Sequence, residues 1–254
     1  MFKRIGFFAY GLICYAIFFA TFLYAIGFIG NFVVPRTLDG NPAAPLTTSL
    51  AIDLGLLALF AVQHSVMARP WFKSAWTRIV PSELERSTYV LFSSAALILM
   101  FWQWRPLGGL VWSVENPAGV VALRALFAFG WTLVLVSTFL INHFDLFGLR
   151  QVWLQLLGKP YTSLKFGTPG PYKLVRHPLY VGWFFAFWMT PVMTFTHLLF
   201  AVMTTAYILV AIQFEERDLV RSHGEYANYR KRVPMLIPFT KRSNDSAPDA
   251  VTQT

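Results

Sequence analysis

The sequence predicts an all-α fold: a polytopic transmembrane helical bundle of four spans, followed by a C-terminal helical hairpin and a cytoplasmic tail. Three observations lead there. Only 13% of the 254 residues are charged, 56% belong to the AVILMFWYC set, and the mean hydropathy is +0.52. A soluble domain carries roughly 25% charged residues to coat its surface, so the apolar surplus here has to face lipid. The apolar residues also fall in charge-free runs of membrane-crossing length, and Lys and Arg gather in alternate connections between those runs.

The elements follow in order. Ile5 to Ile29 carries no charge and is long enough for a hydrocarbon layer of ~30 Å. A polar segment from Asn31 to Ser49 leads to the second span, Leu50 to Ala68, with Asp53 near its start and Gln63-His64-Ser65 near its end. The third span is Thr88 to Trp104, closing on Trp102 and Trp104 as headgroup-level aromatics. The fourth is Val120 to Ile141, with Arg124 near enough to one end to snorkel. Leu179 to Phe214 is again free of charge, but a straight helix of that length would measure roughly 50 Å. Pro191 offers a break, which gives a short arm, Leu179 to Met189, and a full arm, Thr194 to Phe214. One membrane domain over residues 1–240 is expected, with its ligand-binding part over about 165–240 and a disordered tail at 241–254.

Charge sets the orientation. Lys3-Arg4, the Arg69–Arg86 connection, the Asn142–Pro178 connection and the tail are all basic, and four spans plus a hairpin put all of them on one face. That face is expected to be cytoplasmic, with both termini there, in a bacterial inner membrane. The net charge of +9 is therefore read as attraction to anionic headgroups, not as a nucleic-acid surface. The single cysteine, Cys14, excludes an internal disulfide, and the first apolar run is too long for a cleavable leader. No His or Cys spacing supports a metal site.

Two polar segments flank the hairpin. Gly170-Pro171-Tyr172-Lys173-Leu174-Val175-Arg176-His177-Pro178-Leu179-Tyr180-Val181-Gly182-Trp183 enters it, and Glu215-Glu216-Arg217-Asp218-Leu219-Val220 leaves it, followed by His223-Gly224-Glu225-Tyr226-Ala227-Asn228-Tyr229 and Val233-Pro234. A hairpin returns to its starting face, so the two segments are expected to meet. This order of Arg-His-Pro-x-Tyr-x-Gly, hairpin, Glu-Glu-x-x-Leu and Tyr-x-x-Tyr resembles the isoprenylcysteine carboxyl methyltransferase and phospholipid methyltransferase superfamily over the last third of the chain. Gln63-His64-Ser65-Val66-Met67-Ala68-Arg69, Glu85-Arg86-Ser87, Trp102-Gln103-Trp104-Arg105-Pro106 and Asn142-His143-Phe144-Asp145-Leu146-Phe147-Gly148-Leu149-Arg150 resemble a narrower group, the bacterial methanethiol S-methyltransferases.

The resemblance implies S-adenosyl-L-methionine bound at the membrane boundary by Tyr172, Arg176, His177, Tyr180, Gly182, Trp183, Glu215, Glu216, Tyr226 and Tyr229. The residue types suit that ligand. Carboxylates accept from a ribose diol or an ammonium, Arg pairs a carboxylate bidentately, and aromatic faces stabilise a sulfonium. Each also has a plain structural reading: Tyr180 and Trp183 as belt aromatics, Arg176-His177-Pro178 as a helix-entry turn, the acidic run as a solvated helix start. Methylation of a thiolate needs a group to take the thiol proton. His64 or His143, with Asn142 beside it, is the expected choice. The partners implied are a small thiol and membrane lipid, with a second copy of the chain allowed but not required. Rival readings are an isoprenylcysteine or phospholipid methyltransferase, an NADPH-dependent membrane reductase, and a non-enzymatic accessory protein of nitrogen-oxide metabolism.

Overall fold

A computed structural model describes residues 1–42 and 44–240; the tail expected to be disordered, 241–254, lies outside the described residues. Ten α-helices, one short 3-10 helix (Gly170–Lys173) and one two-stranded ribbon form the elements of the described residues. In order the α-helices and strands are α1 (Phe2–Gly30), α2 (Leu46–Ala68), α3 (Pro70–Trp76), α4 (Ser82–Gln103), β1 (Leu110–Ser113), α5 (Pro117–Ile141), α6 (His143–Leu146), α7 (Leu149–Leu156), α8 (Pro178–Trp188), β2 (Val192–Thr194), α9 (Phe195–Ser222) and α10 (Gly224–Arg232). Helices α1, α2, α4, α5 and α9 are long and apolar enough to cross a membrane, and the chain is a multi-pass membrane protein on that ground.

Two helices extend by six residues or more past the boundaries that hydropathy suggests. α4 starts at Ser82, six residues before the expected Thr88, with Glu83 and Glu85 in its first turn. Carboxylates there favour a helix start by facing its positive end, although they read as loop on a hydropathy scale. α9 continues to Ser222, beyond the expected Phe214, so Glu215, Glu216 and Asp218 are helical. The hairpin has the predicted form. α8 is too short to span, ends before Thr190-Pro191, and α9 begins at Phe195 with the Thr194 hydroxyl accepting from the His197 amide (3.1 Å).

The ribbon was not expected from the sequence. β1 and β2 pair antiparallel, Trp112 opposite Met193 and Ser113 opposite Val192, and join the α4–α5 connection to the hairpin tip on the far side of the bundle. Beside it, Asp39 gathers Asn31 Nδ2 (2.6 Å), the Thr194 hydroxyl and His197 Nδ1 (3.3 Å). Burial raises the Asp39 pKa, but hydrogen bonds from His197 and Thr194 outweigh it and hold the carboxyl below its usual value.

Helix α8 lies against α5 through two glycines. A Cβ on Gly182 would sit 2.7 Å from the Gly130 carbonyl oxygen, and one on Gly130 would sit 2.7 Å from the Gly182 carbonyl and the Ala186 amide. The two backbones touch, which only small residues permit. The core runs from this seam through Phe28, Met100, Phe101, Trp104, Trp131, Phe187, Phe200 and Ile212.

Candidate active site

The ends of α2, α4, α8 and α9 come together on the basic face. α8 starts with Pro178, whose fixed φ suits a first helical position; Arg176 and His177 immediately precede it. Arg176 Nε donates to Glu216 Oε1 (2.6 Å), and its Nη1 donates to the carbonyls of Val233 (2.6 Å) and Arg230 (3.1 Å). His177 Nε2 donates to the same Glu216 oxygen (3.0 Å), and Arg230 Nε lies 3.5 Å from its other oxygen. The backbone amides of Arg176 and His177 donate to Pro234 and Met235 (2.9 and 3.2 Å). The two flanks of the hairpin are thus one unit.

The adjacent carboxylates differ. Glu216 points inward, its side chain 5% exposed and fully engaged, whereas Glu215 is 43% exposed and accepts from the Tyr180 hydroxyl (2.8 Å). Next to them α10 supplies an aromatic wall. Phe166 meets Tyr226 and Tyr229 with ring centroids 5.8 and 5.5 Å apart. The Tyr229 hydroxyl donates to the Tyr172 carbonyl (2.5 Å), while the Tyr226 hydroxyl is buried with no hydrogen-bond partner among the described residues. Burial, followed by the charges of Glu215 and Glu216 respectively, pushes the Tyr172 and Tyr226 phenols up; burial takes Tyr229 to about 12. All three stay neutral donors near neutral pH.

A second polar group lies deeper, between α2, α4 and α9. Ser93 donates its proton to the Tyr89 carbonyl (3.0 Å), so it accepts from His64 Nδ1 (3.2 Å), and Nε2 carries the lone pair. The Tyr89 hydroxyl lies 2.9 and 3.0 Å from the two ring nitrogens. Equal approach to both puts it over the ring face, not in line with Nε2. Ser65 bonds the Tyr207 hydroxyl (3.1 Å). Tyr89, Ser93 and Tyr207 were not among the predicted site residues. Tyr89 follows the polar Glu85–Thr88 stretch, Ser93 adjoins Ser94 and Tyr207 lies near Thr204 and Thr205, and only the placing of Gln63-His64-Ser65 in the sequence hinted at a polar partner on a neighbouring helix.

The remaining predicted residues lie elsewhere. Gly182 faces Gly130 in the α5–α8 seam, and Trp183 packs edge-on against Trp131 (5.1 Å). The Asn142 side chain caps α6 by accepting from the Asp145 amide (3.1 Å). Thr138 gives its proton to the Leu135 carbonyl (2.6 Å), so His143 Nδ1 donates to Thr138 (2.8 Å). His143 Nε2 then accepts from the Tyr15 hydroxyl (2.8 Å), which occupies its lone pair. Burial lowers the His143 pKa.

The fold and the site define a class: a multi-pass helical membrane protein with a carboxylate- and tyrosine-lined site where a helical hairpin opens on the basic face. Comparison with known proteins gives the particular family. The chain is 62% identical over 231 residues to the methanethiol S-methyltransferase of Crocosphaera subtropica, covering 91% of each protein. It is 56% identical over 234 residues to that of Mycobacterium tuberculosis, covering 92% of this chain and 96% of the relative. Nurim of Mus musculus is 33% identical over 183 residues, 68% of this chain and 69% of the relative. No protein-family model and no solved structure matches. The chain belongs to the methanethiol S-methyltransferase family.

Proposed function

We propose that the chain transfers the methyl group of S-adenosyl-L-methionine to the sulfur of methanethiol, forming dimethyl sulfide. Family membership supports the reaction, and one structural observation supports its location: a buried Tyr226 hydroxyl with no hydrogen-bond partner among the described residues, at the hairpin mouth that also carries the half-exposed carboxylate of Glu215. Buried polar groups are otherwise almost always paired, and this pair of groups suits a ligand with an ammonium, a diol and a heteroaromatic edge. When bound, the cofactor supplies a methyl carbon made electrophilic by a sulfonium.

The roles of the protein's residues follow from their contacts. Glu215, oriented by Tyr180, accepts hydrogen bonds from the ligand, and Tyr226 donates one. Tyr172, Phe166 and Tyr229 offer aromatic faces to a cation. Arg176, His177 and Glu216 act from behind: they fix the turn at 230–235 and the start of α8. An alkyl thiol is mostly protonated near neutral pH, and His64 Nε2 takes that proton. His143, whose lone pair meets Tyr15, and Asn142, which caps α6, hold the α5–α6 corner. Gly182 and Trp183 set the distance between α5 and α8, and through it the position of Tyr180.

The basic face is assigned to the cytoplasm of a bacterial inner membrane. Among the described Lys and Arg residues, only Arg36, Arg105 and Arg124 lie toward the other face. Residues 1–240 form one domain in this reading, with the ligand held by 165–240.

The test uses purified protein in detergent with methyl-labelled cofactor and methanethiol. Labelled dimethyl sulfide is expected. Cofactor binding without transfer to the thiol would remove the acceptor assignment, and binding of NADPH instead would replace the reaction. His64→Ala is expected to lower kcat by about 100-fold or more with cofactor affinity unchanged; full turnover would exclude His64 as the base.

A further inference from the structure

The last turns of α9 have two working faces. Glu216 turns inward to Arg176 and His177. On the opposite face, Phe214, Arg217, Asp218 and Arg221 are three and four residues apart, the spacing that aligns side chains along one stripe. That stripe faces the junction of α2 and α3 across a groove of about 390 Å³, completed by Arg69 and Trp71.

The groove has the composition of an amphiphile site. Its apolar parts, Trp71 and Phe214, are 64% and 44% exposed, and they lie where a membrane-crossing helix passes into its polar end. Its charged part holds three arginines against one carboxylate. Arg69 is bridged to Asp218 (2.8 Å), and Arg69 and Arg217 lie over the Phe214 ring at 5.7 and 5.9 Å. Arg217 and Arg221 are exposed and form no salt bridge among the described residues. The net excess of positive charge, clustered on a guanidinium fork rather than spread along a loop, calls for an anion with several acceptor oxygens. The aromatic floor calls for an apolar chain attached to it.

We propose that this groove binds one anionic phospholipid of the inner leaflet, its phosphate on Arg217 and Arg221 and its glycerol and upper acyl region on Trp71 and Phe214. The Arg69–Asp218 bridge ties the groove to the site. Arg69 stands four residues beyond Ser65 and Asp218 three beyond Glu215, so a lipid seated there clamps α2 against α9 and steadies the spacing between His64 and Glu215.

The experiment is native mass spectrometry of the full chain released from nanodiscs of phosphatidylcholine containing phosphatidylglycerol, with methyl transfer measured in parallel in nanodiscs with and without phosphatidylglycerol. One phosphatidylglycerol is expected to stay bound in preference to phosphatidylcholine. R217Q/R221Q is expected to lower that retention about 25-fold, since each basic residue near a membrane surface contributes about a factor of five; R217K/R221K is expected to restore most of it. The double glutamine variant is expected to keep its basal rate in pure phosphatidylcholine and to lose the stimulation by phosphatidylglycerol. Equal retention of both lipids, unchanged retention in R217Q/R221Q, or displacement of the lipid by excess inorganic phosphate alone would overturn the proposal; the last outcome would indicate a simple anion site. Lipid retention is read without any turnover, so this result is independent of the methyl acceptor.

Discussion

The hairpin carries a buried histidine–carboxylate pair at each end, and the two pairs differ in how far they are satisfied. At the tip, His197 Nδ1 meets Asp39 (3.3 Å), its Nε2 meets the Phe187 carbonyl (2.9 Å), and Asp39 also takes Asn31 and Thr194. At the mouth, His177 and Arg176 meet Glu216, but the same neighbourhood keeps a second carboxylate half-exposed and a buried tyrosine hydroxyl unpaired. Closed networks rigidify, and buried polar atoms left open are costly unless something else meets them. The tip is therefore scaffold, and the mouth is both scaffold and binding surface.

The largest effect that can break this comparison comes from Glu216→Gln. Removing one partner of a buried ion pair strands the other, and about 3–5 kcal/mol of stability is expected to go, together with cofactor binding at temperatures where the variant is still folded. Thermal unfolding in detergent and equilibrium binding of S-adenosylhomocysteine measure the two losses. Asp39→Asn is expected to cost about 2–3 kcal/mol by loss of charge-assisted hydrogen bonds and to leave the Kd for that ligand unchanged below its melting temperature. A weakened Kd in Asp39→Asn would erase the distinction between the ends.

A pH series sharpens the same contrast. The Asp39 carboxyl is held below its usual value, so its contribution is complete above the unfolded pKa of about 3.9 and disappears as pH falls through the lower folded value. The melting-temperature gap between wild type and Asp39→Asn is expected to stay constant from about pH 5 upward and to close below about pH 4.

Gly182→Ala tests a smaller effect. Its Cβ would meet the Gly130 carbonyl at 2.7 Å, a backbone contact that cannot yield without moving a helix. A loss of about 1–3 kcal/mol is expected, with Kd little changed once the protein is folded. A large loss of affinity at full stability would instead place Gly182 against the ligand.

Much of the fold was legible because lipid imposes a simple rule on long segments. The charge-free runs, the break at Pro191 and the basic connections gave the spans and the side on which the hairpin opens. The ends of α4 and α9 were misplaced because a carboxylate that favours a helix terminus lowers hydropathy like any loop residue. Part of the site was legible for the same topological reason: a hairpin must bring Arg176 and Glu216 to one face. Partner choice was not. Arg176 was expected to meet a ligand carboxylate, and its Nε and Nη1 are committed to Glu216 and two carbonyls. Ser93 and Tyr207 answer His64 and Ser65 from other helices, at separations of 29 and 142 residues, where no local pattern can reveal the pairing.

The finest test uses two tyrosines three residues apart on α10. Tyr226 and Tyr229 are both buried, at 2% and 6% exposure, and both rings face Phe166; they differ in what the hydroxyl does. Tyr229 donates to the Tyr172 carbonyl, so Tyr229→Phe strands that acceptor and is expected to cost about 1 kcal/mol of stability. Tyr226 has no hydrogen-bond partner among the described residues, so Tyr226→Phe removes a buried donor at no cost and is expected to hold or slightly raise the melting temperature. Its effect should appear in the ligand instead, as a rise in Kd of about 3- to 10-fold, the worth of one hydrogen bond. If the two variants exchange signatures, with Tyr226→Phe destabilising and Tyr229→Phe weakening the ligand, then the open hydroxyl does not mark the binding surface and the mouth of the hairpin is scaffold alone.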